Sequence, residues 1–263
     1  MTCRVTLTFD VDLHLLWTGS FKRTNLEDMS RGLYGINEGL PRILKLLREE
    51  EIKATFFVPA KLAGIFPDKI KALSLDGHEI AAHGYAHERW NELEQEQEDT
   101  ILQKSKAILE QTIENEVVGF RSPAWNLNKW STSLLLKHGY LYDSSLMASD
   151  YHPYLLRDGD QMDVNGNLFF GEETNITEFP VAWELDDFPY FAFTGKLAGL
   201  RLPSEVLAYW KSELDGAIEE RGHFILTMHP QVIGRKPRLQ MIKELIRYAK
   251  SLKVEFMTLQ KSI

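Results

Sequence analysis

Cysteine is nearly missing from this chain of 263 residues, in which Cys3 is the only example. A single cysteine forms no intramolecular disulfide and builds no thiolate zinc cluster. Any bound metal ion must therefore depend on histidine, aspartate or glutamate side chains. Hydrophobic residues make up 44% of the chain and charged residues 26%, which is typical of a folded domain and excludes a disordered or fibrous protein.

Positive charge is also scarce, because 30 lysines and arginines face 38 aspartates and glutamates and leave a formal net charge of −8. A negative chain repels nucleic acid phosphates and anionic lipid surfaces, so we expect neither a nucleic acid nor a membrane as partner. No stretch approaches the roughly 18 consecutive apolar residues of a membrane span. Residues 1–10 contain no apolar signal-peptide core, and we expect a cytoplasmic protein.

Sequence repeats, low-complexity tracts and linkers rich in proline, glycine or serine are missing as well, so nothing marks a domain boundary. We therefore expect a single catalytic domain over residues 1–263. Residues from about 150 to 200 interrupt the regular pattern with aromatics, glycine and proline, and the Asn165-Gly166 pair predicts a hairpin turn there. We interpret this aromatic-rich insert as a cover for a pocket or as an oligomer contact.

What the chain does contain is an alternation of short apolar runs with longer runs of helical spacing. The predicted strands are residues 5–9, 54–58, 78–82, 117–120, 140–142, 176–180, 224–228 and 254–257, and the main predicted helices are about residues 36–47, 68–74, 94–114, 131–139, 203–220 and 239–251. Repeated strand–helix units predict an α/β fold with a mostly parallel sheet. The pattern is compatible with a closed barrel or an open sheet, and in both the working residues gather at the carboxyl ends of the strands.

Two motifs lie at such strand ends and suggest a metal site. Asp10 and Asp12 in Phe9-Asp10-Val11-Asp12 end the first strand; alone they would be turn residues, and two close acids usually need a cation or a proton. His83 and His87 follow the third strand, and imidazoles four residues apart lie on one side of a helical turn. A lone histidine is more often a core residue, but this pair favours a metal site with open positions for water and substrate.

Two more strand ends carry candidate catalytic groups. Arg121 follows the fourth strand, where its guanidinium could hold an aspartate ionised, although a surface salt bridge is the alternative. His229 ends the strand at residues 224–228 and precedes Pro230. An imidazole there suits proton delivery to a leaving group, and a buried neutral histidine is an equally good interpretation of this motif alone.

The remaining polar candidates are weaker. Asp143 in Tyr142-Asp143-Ser144-Ser145 could bond Arg121 or a substrate, whereas Asp186 and Asp187 are interpreted as turn residues. The other histidines have no partner at a useful spacing and are interpreted as structural or surface residues: His14, His78, His138, His152 and His223.

Taken in this order, the motifs over residues 8–230 resemble those of the polysaccharide deacetylase family, carbohydrate esterase family 4. The residue between the two acids and Gly84 after the first histidine depart from most secreted members. The motifs look most like those of an intracellular branch of the family. That branch includes peptidoglycan-deacetylase-like proteins and a metal-independent group of allantoinases and cyclic imidases. The resemblance implies an irregular (β/α) barrel of about seven strands, with the site at its carboxyl rim, and a homo-oligomer.

The resemblance also implies roles for six residues. Asp10 would be the catalytic base, Arg121 the residue that tethers it and His229 the general acid, while the metal ligands would be Asp12, His83 and His87. A carboxylate with two imidazoles suits zinc, and cobalt, nickel and manganese remain open by ligand type.

We therefore predict a metal-dependent hydrolase of non-peptide C–N amide bonds, most simply a deacetylase of an N-acetylated sugar or a related small substrate. One alternative is an allantoinase-like or cyclic-imidase-like amidohydrolase, for which reactions with and without metal are both open. Another is a non-catalytic carbohydrate-binding protein, whose aromatic residues stack on sugar rings, among them Trp125, Trp183 and Phe188.

Overall fold

A curled, mostly parallel β-sheet forms the centre of the molecule, whose computed structural model describes residues 2–194 and 199–263. The strands are β1 (Arg4–Asp10), β2 (Thr55–Val58), β3 (Glu79–Ala82), β4 (Gly119–Phe120), β5 (Tyr142–Asp143), β6 (Tyr154–Asp158), β7 (Gln161–Met162), β8 (Leu168–Phe169), β9 (Glu172–Glu178), β10 (His223–Met228) and β11 (Glu255–Phe256). The strand order is β10-β1-β2-β3-β4-β5-β9-β6, and β11 also pairs with β1.

The sheet curls until its two ends approach each other. After β9, Asp186 forms an isolated parallel bridge to Thr227 of β10. In the described part of the chain, the parallel ladder runs through β10, β1, β2, β3, β4, β5 and β9. This confirms the predicted α/β fold and irregular barrel of about seven strands, although the barrel is only half closed by a regular ladder.

Both faces of the sheet are buried, which is why its strands read as nearly continuous apolar runs. Side chains alternate between the two faces of a strand. On β2, Phe56 packs into the large cluster beneath the helices, while Phe57 points into the barrel. The smaller inner cluster also contains Tyr142 and Phe179. The barrel centre is therefore filled by side chains, and any cavity must lie at its rim.

Helices cover the outside of the sheet. They are α1 (Leu15–Gly19), α2 (Leu26–Tyr34), α3 (Leu40–Glu49), α4 (Lys61–Ile65), α5 (Pro67–Leu75), α6 (Gln95–Ile113), α7 (Ser131–Lys137), α8 (Phe188–Phe191), α9 (Pro203–Glu219), α10 (Pro230–Ile233) and α11 (Lys236–Ser251). A π-helical turn, Gly35–Gly39, precedes α3, where the sequence predicted one continuous helix. Within residues 2–194 and 199–263 no helix has the length and apolar character needed to cross a membrane.

The predicted insert contains the turn that its sequence indicated. Strands β7 and β8 pair antiparallel around Asn165-Gly166, and Gly166 has a φ of +83°, which suits glycine. Strand β9 joins the main sheet beside β5, and β6 pairs antiparallel with β9 at the edge. Residues 195–198 of the predicted insert lie outside the described residues.

Candidate active site

Six candidate side chains meet at the carboxyl rim of the sheet. Neighbouring parallel strands bring them there, because β1, β3, β4 and β10 all end on the same side. The side chains are all buried: Asp10, Asp12, His83, His87, Arg121 and His229. The structure thus brings together every residue that the sequence placed in the site.

Asp12, His83 and His87 form a group whose potential ligand atoms all lie within 4.8 Å of one another. Nε2 of His83 lies 3.4 Å from Oδ1 of Asp12, and Nε2 of His87 lies 3.3 Å from Oδ2. Oδ1 of Asp12 is buried and has no hydrogen-bond partner among the described residues. An unsatisfied buried carboxylate oxygen is costly unless a cation meets it, so the trio fits a metal ion.

The Nδ1 atoms of the two histidines already have hydrogen-bond partners. Nδ1 of His83 donates to the carbonyl oxygen of Arg121 at 2.7 Å, since a carbonyl oxygen can only accept a hydrogen bond. In the neutral ring the proton is then on Nδ1, which leaves the lone pair of Nε2 free to bind a metal ion. Nδ1 of His87 lies 2.8 Å from Oγ of Ser20. Partners of this kind orient metal-binding imidazoles in other proteins.

The loop that carries His83 and His87 forms a tight turn, and not the helical turn that their spacing predicted. His87 has a φ of +60° and Gly84 a φ of +67°, both in the left-handed region. The end of α1 packs directly on this loop, because a Cβ on Gly19 would lie 1.9 Å from the carbonyl oxygen of His87. The tight backbone of this loop and its packing against the end of α1 therefore bring the two imidazoles together, without helical periodicity.

Arg121 holds Asp10 from the buried side of the site. Its Nη1 donates to Oδ1 of Asp10 at 2.7 Å and to Oγ1 of Thr8 at 3.0 Å. Its Nε and Nη2 donate to the carbonyl oxygen and Oγ of Ser144, both at 2.9 Å. Because the guanidinium is fully buried, the surface salt bridge considered for Arg121 is wrong. Asp10 is fixed through Oδ1, and its Oδ2 lies 3.9 Å from Nε2 of His83.

His229 is held by two acids that the sequence assigned only to a turn. Its Nδ1 lies 2.7 Å from Oδ1 of Asp187, and its backbone N–H donates to Oδ2 of the same carboxylate. Oδ1 of Asp186 lies 3.5 Å from Nδ1. Although burial lowers the pKa of His229, the charges of Asp186 and Asp187 raise it well above its usual range. The two acids thus favour the charged form of His229, whose Nε2 lies 3.5 Å from Oδ2 of Asp12.

The pKa values of Asp186 and Asp12 shift in opposite directions, although burial acts on both in the same way. Burial raises the pKa of Asp186 to about 8, although the charge of His229 lowers it. Burial also opposes ionisation of Asp12, but His87, His83 and His229 hold its pKa well below the usual range. Asp12 is therefore the carboxylate best suited to stay ionised for a cation.

Asp143 lies behind the site. Its Oδ1 accepts a hydrogen bond from Oγ of Ser145, whose own Oγ accepts the backbone N–H of Ser122. It is not among the residues that line the cavity, and within the described residues no hydrogen bond joins it to Arg121. Asp143 therefore supports the loops around Arg121.

A cavity of about 560 Å³ opens above these groups. Its floor is polar and its walls are largely aromatic or aliphatic. The lining residues are Asp10, Asp12, Leu16, Ser20, Phe21, His83, His87, Ala124, Trp125, Trp183, Asp186, Phe188, Pro189, Gly199, Arg201 and His229. The rings of Trp125 and Trp183 pack with centroids 4.3 Å apart. Such a cavity suits a small molecule whose polar centre reaches the floor.

Comparisons with known proteins show which family and fold this chain shares. A family model described as polysaccharide deacetylase matches residues 4–142. A peptidoglycan deacetylase of Helicobacter pylori is 33% identical over 255 residues, which cover 91% of this chain and 87% of the relative. A Mycobacterium smegmatis structure assigned to the polysaccharide deacetylases has a TM-score of 0.86 at 33% identity, covering 99% of this chain and 88% of its own. Puue allantoinase has a TM-score of 0.81 at 21% identity, covering 98% and 88%, which shows a shared fold.

Proposed function

Since the chain belongs to the polysaccharide deacetylase family, and is thereby a hydrolase of C–N amide bonds, we propose that it is a metal-dependent deacetylase of an N-acetylated sugar or a related small substrate. The observation that carries the proposal is the buried trio of Asp12, His83 and His87, in which one carboxylate oxygen of Asp12 accepts no hydrogen bond from the described residues. Asp10, which Arg121 binds, and His229, which Asp187 binds, lie beside this trio.

Asp12, His83 and His87 would hold the ion through one carboxylate oxygen and two Nε2 atoms. Zinc suits this donor set, and cobalt, nickel or manganese are compatible with it. When bound, the ion would polarise the amide carbonyl and make water more acidic. One carboxylate and two imidazoles leave coordination positions open, as catalytic sites require.

Asp10 is proposed as the base. Arg121 occupies Oδ1 of Asp10, so Oδ2 is the oxygen that accepts a proton from the attacking water. The buried guanidinium also fixes the direction of the carboxylate, since it is itself bonded to Ser144 and Thr8. Arg121 is thus a positioning residue.

His229 is proposed as the acid. Asp187 accepts the Nδ1–H of the imidazolium, which leaves the Nε2–H directed to the side of the ring where Asp12 lies. From there it would protonate the departing amine as the C–N bond breaks. The proton taken by Asp10 and the proton given by His229 together balance the hydrolysis of the amide to an acid and an amine.

The substrate class follows from the cavity. A volume of about 560 Å³ encloses a single sugar ring with its acetamido group, and the walls formed by Trp125 and Trp183 offer flat apolar surfaces for such a ring. The name of the Helicobacter relative also points to an acetylated amino sugar.

Purified protein should be stripped of metal, reloaded separately with zinc, cobalt, nickel or manganese, and assayed with N-acetylated sugars and with cyclic imides. We expect His83→Gln and His87→Gln to lose both bound metal and turnover. His152→Gln, an exposed control, should keep both. Undiminished turnover by metal-free protein would refute the metal mechanism, and turnover of cyclic imides alone would assign the amidohydrolase function instead.

We also propose that residues 1–263 act as one catalytic domain that assembles as a homo-oligomer. Large apolar side chains on and beside the β7–β8 hairpin are exposed, among them Met162, Val164, Phe169 and Phe170. Exposed apolar patches of this kind often mark protein contacts. Light scattering tests this directly, since a monomer at assay concentration would contradict it.

A further inference from the structure

Arg201 lines the cavity and is a basic residue that the reaction above does not use. Building on the proposed deacetylase function, we propose that Arg201 binds an anionic group, a carboxylate or a phosphate, on the N-acetylated substrate. The substrate class is thereby narrowed to acidic amino sugars and compounds like them.

The backbone around Arg201 is fixed against the cavity wall. The backbone N–H of Arg201 donates to the carbonyl oxygen of Tyr190 at 3.0 Å. Two residues earlier, Gly199 packs so closely on Pro189 that a Cβ would lie 2.1 Å from the Pro189 carbonyl oxygen. Pro189 and its neighbour Phe188 both line the cavity. These contacts hold the start of the Arg201 side chain beside that wall.

The charge of Arg201 is unmatched in the described residues. Its guanidinium forms no ion pair with any carboxylate of residues 2–194 and 199–263. The nearest acid along the chain, Glu205, accepts a hydrogen bond from the backbone N–H of Leu202. Trp183 and Phe188, on the same cavity wall, offer apolar surface. A guanidinium presents a planar fork of donors that matches carboxylates and phosphates, so its pairing capacity remains available to a ligand.

The floor of the cavity carries charged groups that already have partners or a proposed role in the reaction. Asp10, Asp12 and His229 lie there, and the whole chain has a net charge of −8. Among the described lining residues, Arg201 is the sole lysine or arginine. Arg201 is therefore the lining arginine that is available to pair with an anionic group of a substrate, whereas a neutral substrate of the same shape gains no ion pair from it.

Three substrates with the same ring and acetamido group separate these cases: N-acetylglucosamine, its phosphate ester at the primary hydroxyl, and the corresponding uronate. For the wild type we expect a higher kcat/KM with one or both anionic sugars than with the neutral one. Arg201→Gln should lower kcat/KM for the preferred anion at least about tenfold, mainly through KM, and leave the neutral sugar unchanged. Preference for the ester or the uronate identifies the anion.

Arg48→Gln is the matched control. It removes the same charge from an exposed site on α3, where Arg48 pairs with Asp76, and should behave as the wild type. Arg201→Lys keeps the charge but loses the fork, so we expect an intermediate loss. Preference for the neutral sugar, or an equal effect of Arg201→Gln on all three substrates, would overturn the proposal.

Calorimetric binding distinguishes this proposal from failure of the deacetylase function itself. If wild-type protein loaded with zinc hydrolyses none of the three sugars, the deacetylase function is wrong. Binding of an anionic sugar that weakens at least about tenfold in Arg201→Gln would still support the anion site. Equal binding to both proteins, or no binding to either, would refute it.

Discussion

Replacing Arg121 by methionine should lower the free energy of unfolding by about 3–5 kcal/mol, because it leaves the buried carboxylate of Asp10 without its partner. Asp10 is 2% exposed and Arg121 is fully buried, so water does not compensate for the lost 2.7 Å bond. Methionine retains an apolar stem against the ring of Phe57, which the guanidinium now covers at 4.0 Å. The loss therefore reports electrostatics and hydrogen bonding more than an empty volume.

Urea unfolding in the presence of a chelator measures this loss without compensation from a metal ion. Adding Asp10→Asn removes the orphaned charge, and the double variant should recover at least about 1.5 kcal/mol relative to Arg121→Met alone. Arg48→Met, which breaks an exposed ion pair, should lose no more than about 1 kcal/mol. A loss below about 1 kcal/mol for Arg121→Met, or a double variant no more stable than the single one, would refute the reasoning.

Three further predictions concern the metal and the pH. Ser20→Ala should weaken zinc binding about 10- to 100-fold in a chelator competition, because Ser20 orients His87, whereas Ser30→Ala on exposed α2 should not. Zinc at about 100 times its Kd should raise unfolding free energy by about 2.7 kcal/mol, measured as a higher urea midpoint, and a chelator should reverse this. Burial lowers the pKa of His223 to about 3, so its neutral form stabilises the fold above about pH 6.5 and this stability is lost as pH falls. Between pH 7.5 and 5 the wild type should lose about 2 kcal/mol more than His223→Gln.

The floor of the site could be predicted from the sequence because the topology of the sheet determines which residues meet there. Once β1, β3, β4 and β10 belong to one curled parallel sheet, the residues after each of them must meet at one rim. Asp10, His83, Arg121 and His229 each follow an apolar run directly, so their convergence depended only on identifying the strands. The strand pattern thus predicted which residues meet, but not their distances.

The partners of His229 could not be predicted in this way. Asp187 lies 42 residues before His229 along the chain, and the local pattern around it is that of a turn. Its contact with His229 depends on the isolated bridge between Asp186 and Thr227, where the curled sheet brings the segment after β9 against β10. No periodicity marks a bridge of one residue, so only the curvature of the whole sheet reveals these acids as part of the site.

The reaction and the choice of substrate depend on different parts of the chain. The floor that would bind metal and move protons comes from strand ends, whereas Trp183, Phe188 and Arg201 on the wall lie outside the strands, after β9 and before α9. Parallel strands constrain the floor to one geometry, but a segment without a ladder is free to present different side chains. Two proteins with the same floor can therefore hydrolyse different amides, and variants of Arg201 test substrate choice while Asp10 and His229 remain intact.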